Sequence, residues 1–574
     1  MLVALAILAL PRLIPLQEPG KDSVLLPDRG QDLPEWALEE QKRKDPGVDQ
    51  WRTEVLHDLA KPKIVAILEA AVGDKPPMAE VSGIPEAAEI VVDRGWIAIR
   101  RAEGGADGDF AALGDRIWET MGEDAVIHVH AKIVRIFLGD ARDFSSSVLV
   151  RMDGIAGEGR VQINLGLDVH WSESGNDADL ILNAAEVTSW EEISVPRPLF
   201  ADFTKRIFGK NTNWRNETLK GVGEWRDRTD RLMGRSFIGA QGVAVGDVNG
   251  DGRDEIYLCQ QGGIPNRLYM HTPGGDAADV TAQAQLGFLE NTRAALFLDI
   301  DEDGHQDLVM AMGPNLLLAF NDGQGVFREL VPIEGEGVED IYSLAAADFD
   351  GDGDLDIYAC RYVLNGLLGG VPTPYHDADN GAPNLFFRQE TSHRWVLATD
   401  EVGLGENNRK FSLAALWEDF DGDGDPDLYV ANDFGRNNFY RNDEGRFTDV
   451  ADVAGAEDLA AGMGVSSADY DLDGDWDIYV SNMFSAAGQR IAPQANRFMG
   501  GENQDIHGHY VRHARGNTLL ENLGDGTFRD VTDEAGVAVG GWAWGGTFVD
   551  IDNDGLPDIH SPDGFVTNRE TDDL

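Results

Sequence analysis

Only two cysteines, Cys259 and Cys360, occur in the 574 residues, which excludes a disulfide-scaffold fold and most cysteine-based metal sites. Each stands twelve residues after the first Asp of a repeated loop, Asp247 and Asp348. If those repeats are not adjacent, the pair lies beyond disulfide reach, and two buried free thiols are expected. Basic residues are scarce too: 47 Lys and Arg face 102 Asp and Glu, a formal charge of −55. Such a chain repels nucleic acid and anionic membrane surfaces, and its natural partners are cations. No G-x-S-x-G elbow, zincin helix, phosphate-binding loop or dinucleotide fingerprint appears. Long apolar runs are also missing. The run Met1-Leu-Val-Ala-Leu-Ala-Ile-Leu-Ala-Leu10 is stopped by Pro11 and Arg12 well short of a stable membrane span. Residues 1–16 read as an export signal, although no basic stretch precedes the run and no small-x-small cleavage site follows. A mis-assigned start codon or a buried strand fits the same letters.

What is present falls into two regions. From 33 to 72 the pattern predicts helices broken at Asp45-Pro46 and Lys61-Pro62, with Pro62 at a first helical position. A further helix is expected near 110–121. Strand-like alternation follows over 125–138, 146–152, 161–171 and 179–187, separated by Asp, Gly and Ser clusters. Helices followed by an antiparallel run predict a small α+β domain over 33–193, whose order of elements resembles the cone-shaped nuclear-transport-factor-two-like fold. Pro196 and Pro198 open a linker, 194–216.

From 217 to the end the text repeats. Six loops recur: DVNGDGRDE from Asp247, DIDEDGHQD from Asp299, DFDGDGDLD from Asp348, DFDGDGDPD from Asp419, DYDLDGDWD from Asp469 and DIDNDGLPD from Asp550. Their starts are 52, 49, 71, 50 and 81 residues apart, and a period near fifty points to a solenoid or propeller. The two long gaps hold insertions, 361–382 and 481–515. A strand pattern stands on each side of a loop, as in Gly242-Val-Ala-Val245 and Glu255-Ile-Tyr-Leu258. A second element then recurs, as in Asn384-Leu-Phe-Phe387 or Asn517-Thr-Leu-Leu520, often with a glycine turn such as Asn522-Leu-Gly-Asp-Gly-Thr-Phe528. Four strands per repeat make one propeller blade. The fold class expected is mainly β, a six- or seven-bladed calcium-binding β-propeller over 217–574 behind the small α+β domain.

The loop itself names a metal. Carboxylates at positions 1, 3 and 5 of a tight turn, a position-7 carbonyl and a position-9 acid supply the hard oxygens that Ca2+ takes at flexible geometry. The candidate ligands are Asp247, Asn249, Asp251 and Glu255; Asp299, Asp301, Asp303 and Asp307; Asp348, Asp350, Asp352 and Asp356; Asp419, Asp421, Asp423 and Asp427; Asp469, Asp471, Asp473 and Asp477; and Asp550, Asp552, Asp554 and Asp558. Position 6 is Gly in all six loops, which permits the positive φ needed to curl round an ion. Composition alone predicts on the order of 0.1 such matches in the chain, not six in phase with a strand repeat. A helix–loop–helix calcium hand is excluded because twelfth positions hold Leu258, Met310, Ala359, Val430, Val480 and Ser561 where that motif needs Glu. Up to six Ca2+ ions are therefore expected; Mg2+ is disfavoured by ligand number.

These residues resemble the FG-GAP/VCBS repeat family. Phe447-Thr-Asp-Val450, Phe528-Arg-Asp-Val-Thr-Asp533 and Gly541-Trp-Ala-Trp-Gly545 are similar to its cartilage-acidic-protein, ASPIC/UnbV-associated branch. The resemblance implies a propeller that is secreted or surface-exposed, with calcium between the first two strands of a blade. It implies no reaction. The sixth repeat lacks its second hairpin, and Asn216-Glu-Thr-Leu219 with Gly223-Glu-Trp-Arg-Asp-Arg-Thr-Asp230 reads as an orphan hairpin that closes the ring.

Other candidates are His507, His509 and His513 in the longer insertion, spaced for a transition metal or acid–base work, and His128, His130 and His170, which could share a face of the amino-terminal sheet. For both sets the ordinary reading, as structural or surface histidines, is the favoured one. Two functions remain open: an extracellular, cell-surface or periplasmic binding and adhesion module that presents its insertions to a protein or polysaccharide, or a propeller enzyme acting on a carbohydrate polymer. A channel-facing group of acids or histidines outside the loops would favour the enzyme; small residues lining the channel would favour binding.

Overall fold

The computed structural model describes residues 51–73, 77–122, 125–140, 142–156, 159–174, 179–220, 241–335, 338, 340–362, 372–494 and 504–564. These form two compact units, one from the described residues of 51–201 with 486–494, the other from those of 202–485 with 504–564.

The smaller unit begins with helix α1 (Arg52–Ala71), which buries Leu56, Ala60, Ile64 and Leu68 along one face. It runs straight through Pro62, so the expected break at Lys61-Pro62 does not occur. The apolar stripe continues on both sides of the proline, and its burial outweighs one lost backbone bond. Helix α2 (Phe110–Met121) starts on Asp109, whose carboxylate accepts from Ala111 N and Ala112 N, both at 3.0 Å. The helices meet at Gly114, where a Cβ would sit 1.9 Å from Ala71 O.

Four short strands, β1 (Glu80–Ile84), β2 (Glu89–Asp93), β3 (Ala98–Ala102) and β4 (Ala106–Asp109), precede four long ones, β5 (Val126–Leu138), β6 (Asp143–Ala156), β7 (Gly159–Ser174) and β8 (Asp179–Val195). They join in the order β2-β3-β8-β7-β6-β5, with β1 parallel to β8. On β7 the alternation Ile163, Leu165, Leu167, Val169, Trp171 faces the core. Residues 486–494 complete this unit: Arg490 binds both oxygens of Glu54 and donates to Ile133 O at 2.6 Å.

The larger unit holds five four-stranded antiparallel sheets and a two-stranded one, each in sequence order. The first comprises Val243–Gly246, Glu255–Leu258, Arg267–His271 and Ala277–Asp279; the last comprises Thr547–Val549 and Asp558–His560. The first strand of each sheet neighbours the first strand of the next. Second strands such as Asp307–Met312, Asp356–Arg361, Asp427–Asn432 and Asp477–Asn482 are buried at every residue, because sheets pack on both their faces. Cys360, in the second strand of the third sheet, and Cys259, just past that of the first, are buried free thiols, each held up at about 12 by burial.

Ahead of the first sheet, residues read as linker and hairpin are helical. Thr204–Phe208 and Trp214–Thr218 each make a single turn. Trp214 is buried against Phe208, and Asn213 Nδ2 donates to Tyr269 Oη at 2.8 Å, so the segment covers the first sheet instead of forming a strand pair at Asn216–Leu219. The segment Gly223 to Asp230, expected to close the ring against the last repeat, lies outside the described residues, as do residues 1–50.

Candidate metal centres

Each of the six loops joins the first and second strands of its sheet, and in the five four-stranded sheets it lies at the same end as the hairpin between the third and fourth strands. Position 1 shapes the turn. In the first loop Asp247 accepts from Asp251 N at 3.1 Å and Gly252 N at 2.8 Å, and the same two bonds recur at Asp299, Asp348, Asp419, Asp469 and Asp550. Position 5 accepts from the position-7 amide, as Asp303 does from His305 N at 2.9 Å. The position-6 glycines, Gly252 to Gly555, all have positive φ with nothing but loop or a distant Glu302 beside them.

This wrapping gathers like charges. Three carboxylates come within 4.8 Å of one another at Asp299, Asp301 and Asp303; at Asp348, Asp350 and Asp356; at Asp419, Asp421 and Asp427; at Asp469, Asp471 and Asp477; and at Asp550, Asp552 and Asp554. These groups are able to hold metal ions. Crowding is registered at position 3, where Asp301, Asp350, Asp421 and Asp471 are pushed up first by partial burial and then by the neighbouring position-5 carboxylate. A unit pair 4 Å apart repels by about 4 kcal/mol at an effective dielectric of 20, and a hard divalent cation removes that repulsion. The donor set, all oxygen and anionic, fits such an ion. The first loop differs: Asn249 Nδ2 donates to Glu255 Oε2 at 3.3 Å, and no carboxylate trio forms there.

Position 9 makes hydrogen bonds that the sequence reading missed. Asp307, Asp356, Asp427 and Asp477 are buried and held up at about 7 by that burial. One oxygen accepts the position-2 amide (Ile300 N, Phe349 N, Phe420 N, Tyr470 N). The other accepts the amide of a third-strand residue: Asn321 N at 2.7 Å and Gln389 N, Asn442 N and Asn522 N at 2.8 Å. The side chains of those four residues reach to the preceding repeat. Asn321 donates to Val248 O, Gln389 to Ile300 O, Asn442 to Phe349 O and Asn522 to Phe420 O, at 2.8 to 3.1 Å. Every acceptor is the position-2 carbonyl of the previous loop. The visible signal was the Asn that opens the glycine hairpin, read as a turn former only.

The histidine candidates do not converge on a metal. Among the described residues the carboxylate trios above are the only groups of three or more His, Cys, Asp or Glu so gathered. His509 and His513 lie on a helix, Gln504–His513; His509 meets His376 of the other insertion with ring centres 5.6 Å apart, and His513 stacks on Phe434. His130 approaches Asp153 at 3.8 Å, while His128 and His170 are exposed.

Repeated four-stranded sheets, each with an acidic loop between its first two strands, define the class, and the FG-GAP-like repeat profile matches residues 299–359, 419–480 and 505–561. The chain carries FG-GAP-like repeats. It is similar to cartilage acidic protein 1 of Xenopus tropicalis, 30% identical over 201 residues, or 34% of this chain and 29% of that protein. The human protein of the same name is 29% identical over 222 residues, 38% of this chain and 32% of the relative. The chain thus spans less than a third of these relatives' length. Among solved structures it is similar to a lectin of Agrocybe aegerita studied for recognition of non-reducing terminal N-acetylglucosamine, at 13% identity over 72% of this chain and 81% of that one. The TM-score of 0.32 is too low to carry any argument. No helix among the described residues is long and apolar enough to cross a membrane.

Proposed function

We propose that this chain is an exported, calcium-stabilised β-propeller of six or seven blades that serves as a binding or adhesion module for a protein or polysaccharide. The observation that carries the reading is the gathering of loop carboxylates at one end of the sheets, with the insertions leaving from the opposite end. The ions stabilise the scaffold, and the loops on the far side are free to vary and to bind. All 24 loop positions named above are the proposed ligands, with Asn249 and the longer Glu255 making the first site the weakest. Export is supported by the acidic repeats and by relatives named for cartilage.

The enzyme reading is not favoured. The first strands, which neighbour one another in succession, carry small and apolar residues such as Val243–Gly246, Ile341–Ala347 and Gly462–Ala468, and Arg293 and Glu418 are their only charged members. A glycan and surface-protein capture screen with calcium and with chelator tests the proposal. Calcium-dependent capture is expected; melting that is indifferent to calcium would refute the metal assignment.

A further inference from the structure

At the sheet end opposite the acidic loops, the described part of the first insertion, 372–382, lies against the connection from Asp433 to Asn437. Gly435, at φ 123°, makes the approach possible, since a Cβ there would meet Ala378 O at 3.1 Å. Asp377 fixes it by accepting from Arg436 Nε at 3.0 Å and Lys410 Nζ at 3.1 Å.

Beside this clamp stands Asp433, only 4% exposed. Its Oδ2 accepts the Tyr362 hydroxyl. Its Oδ1 is buried and has no hydrogen-bond partner among the described residues. An orphaned buried acceptor is costly to leave unpaired, and a partner that supplies a donor there relieves that cost.

The surroundings say what kind. Tyr362 packs on Phe411 with ring centres 5.3 Å apart, Phe411 on Phe434 at 5.8 Å, and Phe434 on Tyr375 at 4.9 Å. Tyr375 is 40% exposed, so this series of rings leads from the buried carboxylate to solvent. A hard metal ion is disfavoured, because it needs several converging oxygens and among the described residues Asp433 belongs to no carboxylate trio. An organic ammonium suits this chemistry: its N–H groups satisfy the orphaned oxygen, and the carboxylate stands among aromatic rings, which tolerate a cation better than an anion. A molecule of net charge −55 also draws basic partners toward it.

We propose that Asp433, with Tyr362, Phe434 and Tyr375, forms a subsite for a primary alkylammonium, and that the partner is a protein whose lysine side chain enters past Tyr375. The proposal rests on the binding-module reading and names its ligand chemistry.

The test is calorimetric titration of the tag-free, calcium-loaded full chain with Nα-acetyl-lysine amide, its Nε-acetylated neutral counterpart and glucosamine at physiological salt. Saturable binding of the lysine probe alone is expected, weakened about tenfold or more by Asp433→Asn, which keeps the side chain's size and an acceptor for Tyr362. Equal binding by wild type and Asp433→Asn, or no binding, overturns the site. Preference for glucosamine overturns the lysine-bearing partner. Should Asp433→Asn fail to fold, Tyr375→Ala, at the exposed end, is expected to weaken the lysine probe at least about threefold; no change overturns the site. In the capture screen, undiminished capture by Asp433→Asn sinks this subsite while leaving the module reading intact, whereas binding of the lysine probe with no macromolecule captured sinks the module reading and with it the lysine-bearing partner, leaving only the ammonium subsite.

Discussion

At the scale of single residues, the acid at position 9 and the amide across from it act as one part. Asn442 shows the arrangement: its backbone N–H goes to Asp427, and its side chain reaches Phe349 O at 2.8 Å and Pro426 O at 3.1 Å. Asn442→Ala leaves two buried carbonyls without that donor, so a loss of about 2–3 kcal/mol is expected in urea unfolding of the calcium-loaded protein. Asp433 offers a different measurement. Burial holds its carboxyl at about 7, against an ordinary 3.8, while the Tyr362 hydroxyl pulls the other way. The native state thus binds this proton more tightly than the unfolded chain. Its stabilising contribution is complete below the unfolded value and is lost as pH rises through 7, a change of the order of 4 kcal/mol. Stability curves taken between about pH 5 and pH 8 should show Asp433→Asn gaining on the wild type as pH rises; parallel curves would mean that Asp433 does not titrate in this range.

Among secondary-structure elements, legibility depended on how local the cause was. The loop residues, the strand on either side and the long strands β5 to β8 were readable, because an acidic turn with glycine at its sixth position and a period-two pattern are properties of adjacent letters. The unbroken α1 was not. Pro62 is a stop signal by local rules, and only the packing of Leu56, Ala60, Ile64 and Leu68 on one core shows why the helix continues. Pro62→Ala restores an amide and removes a ring clash, and should raise the stability of the smaller unit by about 1–3 kcal/mol in thermal unfolding. Strands β1 to β4 escaped notice because they are only four or five residues long, too short for a period-two pattern to stand out. Residues 486–494 were read as insertion text within a repeat; nothing in their letters announces that Arg490 completes the unit containing Glu54, since that pairing spans 436 residues.

For the whole molecule, charge dominates. Five carboxylate trios without ions repel internally, and the total of −55 adds to the strain. Chelation should therefore lower the melting temperature by scanning calorimetry. High sodium chloride should recover part of the loss in the metal-free protein and little in the calcium-loaded one, because screening substitutes only for a missing counter-charge.

The side chains of Asn321, Gln389, Asn442 and Asn522 bear on how such a protein would load. Each ties its own loop, through the shared position-9 carboxylate, to the loop before it. The centres then form a one-dimensional array with nearest-neighbour coupling rather than a set of independent sites. Filling one favours its predecessor and its successor in turn, so calcium titration should give a steeper isotherm than separate sites allow, and Asn442→Ala should divide it into two shallower steps.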